Sequence, residues 1–81
     1  MTTREEIGEW FDRGVAKGAT HMVVACDTFD HEDYPDYVSP GSDVEAAIAR
    51  IRAQPMTRIM EVYNLKMSKD EQLKAGRCYN L

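Results

Sequence analysis

The apolar run at residues 20–26 constrains the fold of this chain most strongly. Its sequence, THMVVAC, has apolar side chains at nearly every position instead of at alternate ones. A strand with that pattern is covered on both faces, so we expect it at the centre of a sheet. The chain has 81 residues, which supports one domain spanning 1–81.

Three segments predict helices. Each begins with Ser or Thr three residues before Glu, a capping box in which hydroxyl and carboxylate satisfy free N–H groups. Glycine or proline follows each segment and favours its end. The predicted helices span 4–17, 43–53 and 69–76, and the first carries an apolar stripe of Ile7, Trp10, Phe11 and Val15.

Two further segments predict strands. Residues 34–38 are short and contain Pro35, which favours an edge strand. Residues 57–63 are rich in β-formers and are bracketed by Pro55 and Asn64, although their spacing also fits a helix. The order α-β-β-α-β-α predicts a small α/β (α+β) domain, with a three-stranded mixed sheet packed by two or three helices. We expect a long-looped hairpin between the first two strands and a right-handed crossover to the third.

The net charge of −4 is divided unevenly along the chain. Residues 18–49 carry seven acids and neither Lys nor Arg, whereas residues 50–81 carry seven bases and three acids. A continuous nucleic-acid groove needs clustered bases over most of a face, so nucleic acid is not an expected partner.

The cysteines and the N-terminus predict a cytoplasmic protein. Cys26 and Cys78 are too few for a disulfide framework. The first residues are polar and acidic and lack the apolar core of a signal peptide. No apolar stretch approaches the roughly 20 residues of a membrane span, so we expect no membrane partner.

Residues 26–38, the acidic aromatic segment, hold five carboxylates, one imidazole and three aromatic rings. Asp27, Asp30 and His31 could ligate a metal. Their spacing, however, matches no known loop, and the EF-hand pattern fails for lack of its glycine and distal glutamate. A solvated acidic turn is the favoured interpretation, and neither a metal nor a cofactor is predicted.

Acid–base catalysis is a second interpretation of this segment, with His31 as the proton carrier. No nucleophile elbow, phosphate-binding glycine loop or paired-histidine helix accompanies it. Cys26 lies beside acids, which disfavour its thiolate. The sequence therefore favours a non-enzymatic role.

Binding is the third and favoured interpretation. Phe29, Tyr34 and Tyr37 offer large contact area at small entropic cost, and the acids would attract a basic partner. Each ring could instead complete the core. The candidate binding residues here are Phe29, Asp30, His31, Asp33, Tyr34 and Tyr37.

The basic C-terminal third offers a different ligand class. Arg50 and Arg52 suit bidentate recognition of a nucleotide-like anion, although bases spread in this way are commonly a solvated face paired with acids. At the C-terminus, Tyr79 and Leu81 could add an edge strand, while a frayed end is the default.

Two blocks of sequence suggest a resemblance. Residues 21–35, HMVVACDTFDHEDYP, followed by Tyr37-Val38, and residues 59–65, IMEVYNL, resemble segments of small uncharacterised bacterial and prophage-type proteins. The resemblance implies only a context, a compact, phage-encoded accessory protein, and supplies no catalytic residues that can be transferred to this chain.

Such accessory proteins often block a host enzyme or sequester a nucleotide signal within a homo-oligomer. The prediction is a non-enzymatic, homo-oligomeric binding protein with a host protein, a second copy or a nucleotide-like anion as partner. The alternatives are a small metal-dependent enzyme using the acidic loop and a structural subunit of a larger assembly.

Overall fold

The computed structural model describes residues 3–75 and 78–81, and within them the chain forms three helices and three strands. The α+β class and the order α-β-β-α-β-α are confirmed, and residues 57–63 belong to a strand as predicted. The elements are α1 (Arg4–Ala16), β1 (His21–Asp27), β2 (Glu32–Val38), α2 (Val44–Ala53), β3 (Thr57–Asn64) and α3 (Lys69–Lys74). No helix in these ranges is long and apolar enough to span a membrane.

Side-chain caps begin the helices. The Thr3 hydroxyl accepts from the Glu6 N–H at 3.1 Å, and the Ser68 hydroxyl caps α3 in the same way. The prediction that Ser42 caps α2 is wrong, because the Asp43 carboxylate accepts from the Glu45 N–H at 3.0 Å instead. Asp43 is the better cap, since its charge also interacts favourably with the helix dipole. The predicted end of α3 at Gly76 lies outside the described residues.

The sheet has the order β2-β1-β3, and β1 pairs antiparallel with both neighbours. The predicted mixed sheet is therefore wrong. β2 and β3 run in the same direction, but β1 lies between them. The physical reason is burial, because a direct β2–β3 pair would leave the apolar β1 at an edge of the sheet. Pro35 lies in the edge strand β2, as predicted.

Helices cover both faces of the sheet and create two core clusters. Alternation along β1 sends Met22 and Val24 to one face and Val23 and Ala25 to the other. The first face packs against α1 and α3 through Ile7, Phe11, Tyr63, Leu65 and Cys78, with Trp10 and Leu73 partly buried beside them. The second face packs against α2 through Val38, Ile48, Ile51 and Val62.

The predicted stripe of α1 holds at Ile7 and Phe11 and is wrong at Val15, which is 52 % exposed. Gly14 is buried in its place. A Cβ at this position would lie 2.7 Å from the Tyr37 ring and 2.8 Å from a Leu65 methyl group. The absence of a side chain thus lets α1 lie directly on the sheet.

The C-terminal residues form a single bridge to β3, so they pair at the sheet edge as the edge-strand alternative proposed, and the default of a frayed end is wrong. The Val62 N–H donates to the Cys78 carbonyl, and the Asn80 N–H donates to the Val62 carbonyl, both at 2.9 Å. The bridge between Val62 and Tyr79 is parallel. Cys78 is buried in the core, and its packing keeps this segment on the sheet.

Candidate functional site

The acidic aromatic segment forms a tight turn instead of the long loop that was predicted. Only residues 28–31 separate β1 from β2. The Asp27 carboxylate accepts from the Phe29 N–H at 2.9 Å and from the Asp30 N–H at 3.4 Å, and the Asp27 carbonyl accepts from the His31 N–H at 2.7 Å. Asp27 therefore fixes the turn through both its side chain and its backbone.

A second turn, between α2 and β3, lies directly beside this hairpin. The Thr28 N–H donates to the Met56 carbonyl at 2.8 Å. His31 and Met56 have φ of 58° and 59°, a left-handed conformation that is uncommon for residues other than glycine. We call residues 27–33 together with 55–57 the hairpin end of the sheet.

Two large apolar side chains are exposed at the hairpin end. Phe29 is 72 % exposed and Met56 is 55 % exposed. The hydrogen bond between Thr28 and Met56 places the two turns side by side, so Phe29 and Met56 lie on adjacent backbone segments. A phenylalanine side chain this exposed contributes little to the stability of the hydrophobic core.

Carboxylates surround this apolar pair. Asp30 and Glu32 are exposed, whereas Asp27 and Asp33 are half-buried. Among the described residues none of these four forms a salt bridge. Asp36, farther along β2, lies 4.0 Å from Arg50. Arg58, in register with Cys26 on β3, is an exposed base beside this end, so four acids and one base leave the hairpin end acidic.

Tyr34 and Tyr37 do not join this surface. They lie three residues apart on β2 and therefore point to opposite faces of the sheet. Tyr34 is half-buried on the face that α2 covers. The Tyr37 hydroxyl donates to the Trp10 carbonyl at 2.7 Å, and burial raises the pKa of this phenol. Both rings complete the packing around the sheet, so Phe29 is the free aromatic residue of the segment.

The candidate metal ligands do not converge. The Asp27 carboxylate is hydrogen-bonded to the turn backbone, and both Asp30 and His31 are exposed. Within residues 3–75 and 78–81 no group of three or more His, Cys, Asp or Glu side chains could hold a metal ion. The turn geometry explains this arrangement, because Asp27 points inward to the backbone.

Neither cysteine has the surroundings of a nucleophile. Desolvation, followed by a hydrogen bond with Asp33, raises the pKa of the Cys26 thiol. Burial raises the pKa of Cys78 to about 11, and its thiol donates to the Val62 carbonyl. Both residues are free thiols. A raised pKa keeps each in the less reactive protonated form.

Arg50 and Arg52 are not brought together. Arg50 faces Asp36 on β2 at 4.0 Å, whereas Arg52 donates to the Tyr79 hydroxyl at 2.9 Å. The groove beside Arg52 is also lined by Glu45. A carboxylate in that groove opposes an anionic ligand, and each arginine already has a partner.

No match was found for this chain among models of known protein families, curated proteins or solved structures.

Two important residues lie outside the sequence-based candidates. Met56 completes the exposed apolar pair, and the preceding Pro55 was the available signal because it marks a turn. Gln72 is 3 % exposed, and its side-chain oxygen accepts from the Asn64 N–H and from the Asn80 amide, both at 2.9 Å. A glutamine on a polar helix gives no sequence signal of such a role.

Proposed function

We propose that this protein is a non-enzymatic binding module that captures a protein partner through its hairpin end. The observation that carries the proposal is the exposure of Phe29, at 72 %, on a turn held by four hydrogen bonds. Exposed aromatic anchors on ordered backbone are typical of binding hot spots.

The rigidity of the turn favours binding. The backbone around Phe29 is already fixed by the Asp27 carboxylate and by Met56. Binding of a partner therefore costs little conformational entropy, because the turn is already ordered. Met56 adds an adaptable apolar side chain next to the rigid ring.

The unpaired acids indicate the chemistry of the partner surface. Asp30 and Glu32 flank the apolar pair and are exposed. They would steer a basic surface toward Phe29 and disfavour an acidic one. The resemblance to prophage-type proteins would make this partner a host protein.

The other expectations receive less support. A nucleotide-like ligand at Arg50 and Arg52 would have to displace Asp36 and Tyr79 and to tolerate Glu45. A metal-dependent reaction would need Asp27 to leave the turn backbone that it holds. A structural subunit of a larger assembly would use the same exposed Phe29, and the identity of the captured protein separates that case.

The test is affinity capture from host lysate with the wild-type chain and with Phe29→Ser. Leu81→Ser is the matched control, because Leu81 is 49 % exposed and lies at the C-terminus, away from the hairpin end. We expect one or more proteins to be captured by the wild type and the control and to be lost with Phe29→Ser. Capture that survives Phe29→Ser combined with Met56→Ser, in chains that remain folded by circular dichroism, would overturn the proposal.

A further inference from the structure

The end of the sheet opposite the hairpin also exposes apolar side chains. The start of β1 meets the end of α1 and the turn after β3 there. The Ala19 N–H donates to the Gly14 carbonyl and the Leu65 N–H donates to the Thr20 carbonyl, both at 3.0 Å. Val15 is 52 % exposed and Met67 is 49 % exposed on these two segments.

Lysines accompany this second apolar pair. Lys17 follows Val15 and Lys66 precedes Met67, and both lysines are exposed. Among the described residues neither forms a salt bridge, although the Lys17 ammonium lies 4.8 Å from the centre of the Tyr37 ring. We call Val15, Lys17, Lys66 and Met67 the basic end.

Two acids lie at the same end, and one of them, Glu71, is exposed and lines the same groove as Met67. The other, Asp43, precedes α2, and its carboxylate accepts from the Glu45 N–H at 3.0 Å. That bond engages the carboxylate with the helix that it caps. Arg13, in the last turn of α1, is exposed and adds a third base to the two lysines. Three bases thus accompany two acids at this end, and its net charge is positive.

We propose that the basic end of one copy binds the hairpin end of a second copy. Each end has two exposed apolar side chains, and the net charges of the two ends have opposite signs. The two ends are separated by the length of β1, whose seven residues span about 20 Å. Each copy therefore keeps one free end after pairing, and the contact is head-to-tail and open-ended.

This inference rests on the proposed function, because it uses the same hairpin end. A second copy seated on Phe29 would exclude a protein partner from that surface. Self-association would thus regulate capture. When the assembled copies dissociate, their hairpin ends become free to bind the protein partner.

Sedimentation velocity of the purified full chain over a wide range of concentration tests the contact. We expect species that keep growing beyond a dimer as concentration rises in low salt. At about 1 M salt, where the screening length falls to about 3 Å, they should dissociate. A monomer at all concentrations, or a closed dimer, would overturn the inference.

A charge exchange between the two ends tests the pairing directly. One variant carries Asp30→Lys with Glu32→Lys at the hairpin end, and the other carries Lys17→Glu with Lys66→Glu at the basic end. Each variant alone places like charges at the contact and should remain monomeric. Mixed together they restore opposite charges at every contact, so growth should return. Association of either variant alone, or its absence from the mixture, would contradict the model.

The same variants distinguish the failure of this inference from the failure of the proposed function. Lys17→Glu with Lys66→Glu leaves the hairpin end intact, so this variant should still capture the lysate partner. If it captures the partner and the wild type never self-associates, the proposed function stands and the head-to-tail contact is rejected. If Phe29→Ser abolishes self-association and leaves capture unchanged, the contact stands and the proposed function is rejected.

Discussion

At the scale of single residues, two glycines of α1 illustrate how tightly the helix packs. Gly14 faces the Tyr37 ring and Leu65, whereas Gly8 faces the flexible end of Lys69. The Tyr37 ring cannot easily retreat, because its hydroxyl is bonded to the Trp10 carbonyl. A methyl group added at Gly14 would therefore collide with fixed side chains, whereas one added at Gly8 would contact a flexible side chain.

We predict that Gly14→Ala destabilises the fold and that Gly8→Ala stabilises it. At Gly14 the new Cβ would lie 2.7 Å from a ring carbon, and the resulting strain exceeds the gain in helix propensity, for a net loss of about 1 kcal/mol. At Gly8 the nearest atom would be 3.4 Å away, so a gain of about 0.5–1 kcal/mol remains. Urea denaturation measures both, and equal effects at the two sites would contradict the packing described.

His21 links stability to pH. Burial, and secondly the charge of Lys66, lower the pKa of this imidazole below its usual 6.5, while the Leu81 backbone acts weakly in the opposite sense. The Nδ1 atom lies 2.9 Å from the Thr20 hydroxyl, and the buried Nε2 atom has no hydrogen-bond partner among the described residues. The fold therefore favours the neutral form.

We predict that the free energy of unfolding falls as pH drops below 6.5. In that range the unfolded chain binds a proton that the folded chain resists, so unfolding is favoured by acid. Urea denaturation at about pH 7.5 and about pH 5.5, above the usual range of carboxylate titration, measures the slope. His21→Phe should reduce it. An unchanged slope in His21→Phe would contradict the assignment.

At the scale of elements, one side chain of α3 is hydrogen-bonded both to β3 and to the C-terminal segment. The Gln72 amide accepts from the Asn64 N–H and donates to the Asn64 carbonyl, both at 2.9 Å, and it also accepts from Asn80. The amide bonds β3 at Asn64, two residues beyond Val62, where the C-terminal segment forms its bridge. A single buried amide thus connects α3, β3 and the C-terminal segment.

We predict that Gln72→Leu costs about 1–2 kcal/mol, because it leaves the half-buried Asn64 N–H without its partner, while the Asn64 carbonyl still accepts from the Met67 N–H. Urea denaturation gives the loss, and hydrogen exchange at Val62 and Asn80 should accelerate as the C-terminal segment loosens. Gln54→Leu is the matched control, since Gln54 is exposed, and it should change stability little. Wild-type stability in Gln72→Leu would show that the amide is dispensable.

At the scale of the whole molecule, the acidic and basic parts of the sequence lie partly at opposite ends of the sheet. Acids of the β1–β2 turn lie at one end, and Lys17 and Lys66 lie at the other. Exposed apolar side chains accompany each end. The proposed capture and the proposed self-association both follow from this arrangement.

We predict that capture weakens as the protein becomes more concentrated, because second copies compete for Phe29. Titration of a labelled lysate partner, once it is identified, against rising concentrations of wild type should show less binding per chain. The variant with Lys17→Glu and Lys66→Glu should bind the same amount per chain at every concentration. A constant capacity in the wild type would exclude the competition.

The sequence alone determined much of the fold, because its signals are local. Capping residues and apolar periodicity predicted the helices within one or two residues of their observed ends where these are described. The continuous apolar run at 20–26 predicted the central strand, since such a run needs cover on both faces. The acidic aromatic segment was also singled out from its composition, and its residues 29–32 are exposed.

Tertiary structure decided which of those side chains are free. Tyr37 and Phe29 are equally aromatic in the sequence, but Gly14 opens a space on α1 that takes the Tyr37 ring, while nothing covers Phe29 among the described residues. Met56 belongs to the candidate site only because the Thr28 N–H donates to its carbonyl, a bond that joins two turns distant in sequence. The exposure of a side chain and its neighbours in space depend on which elements pack together. That packing is determined by residues far apart in the chain.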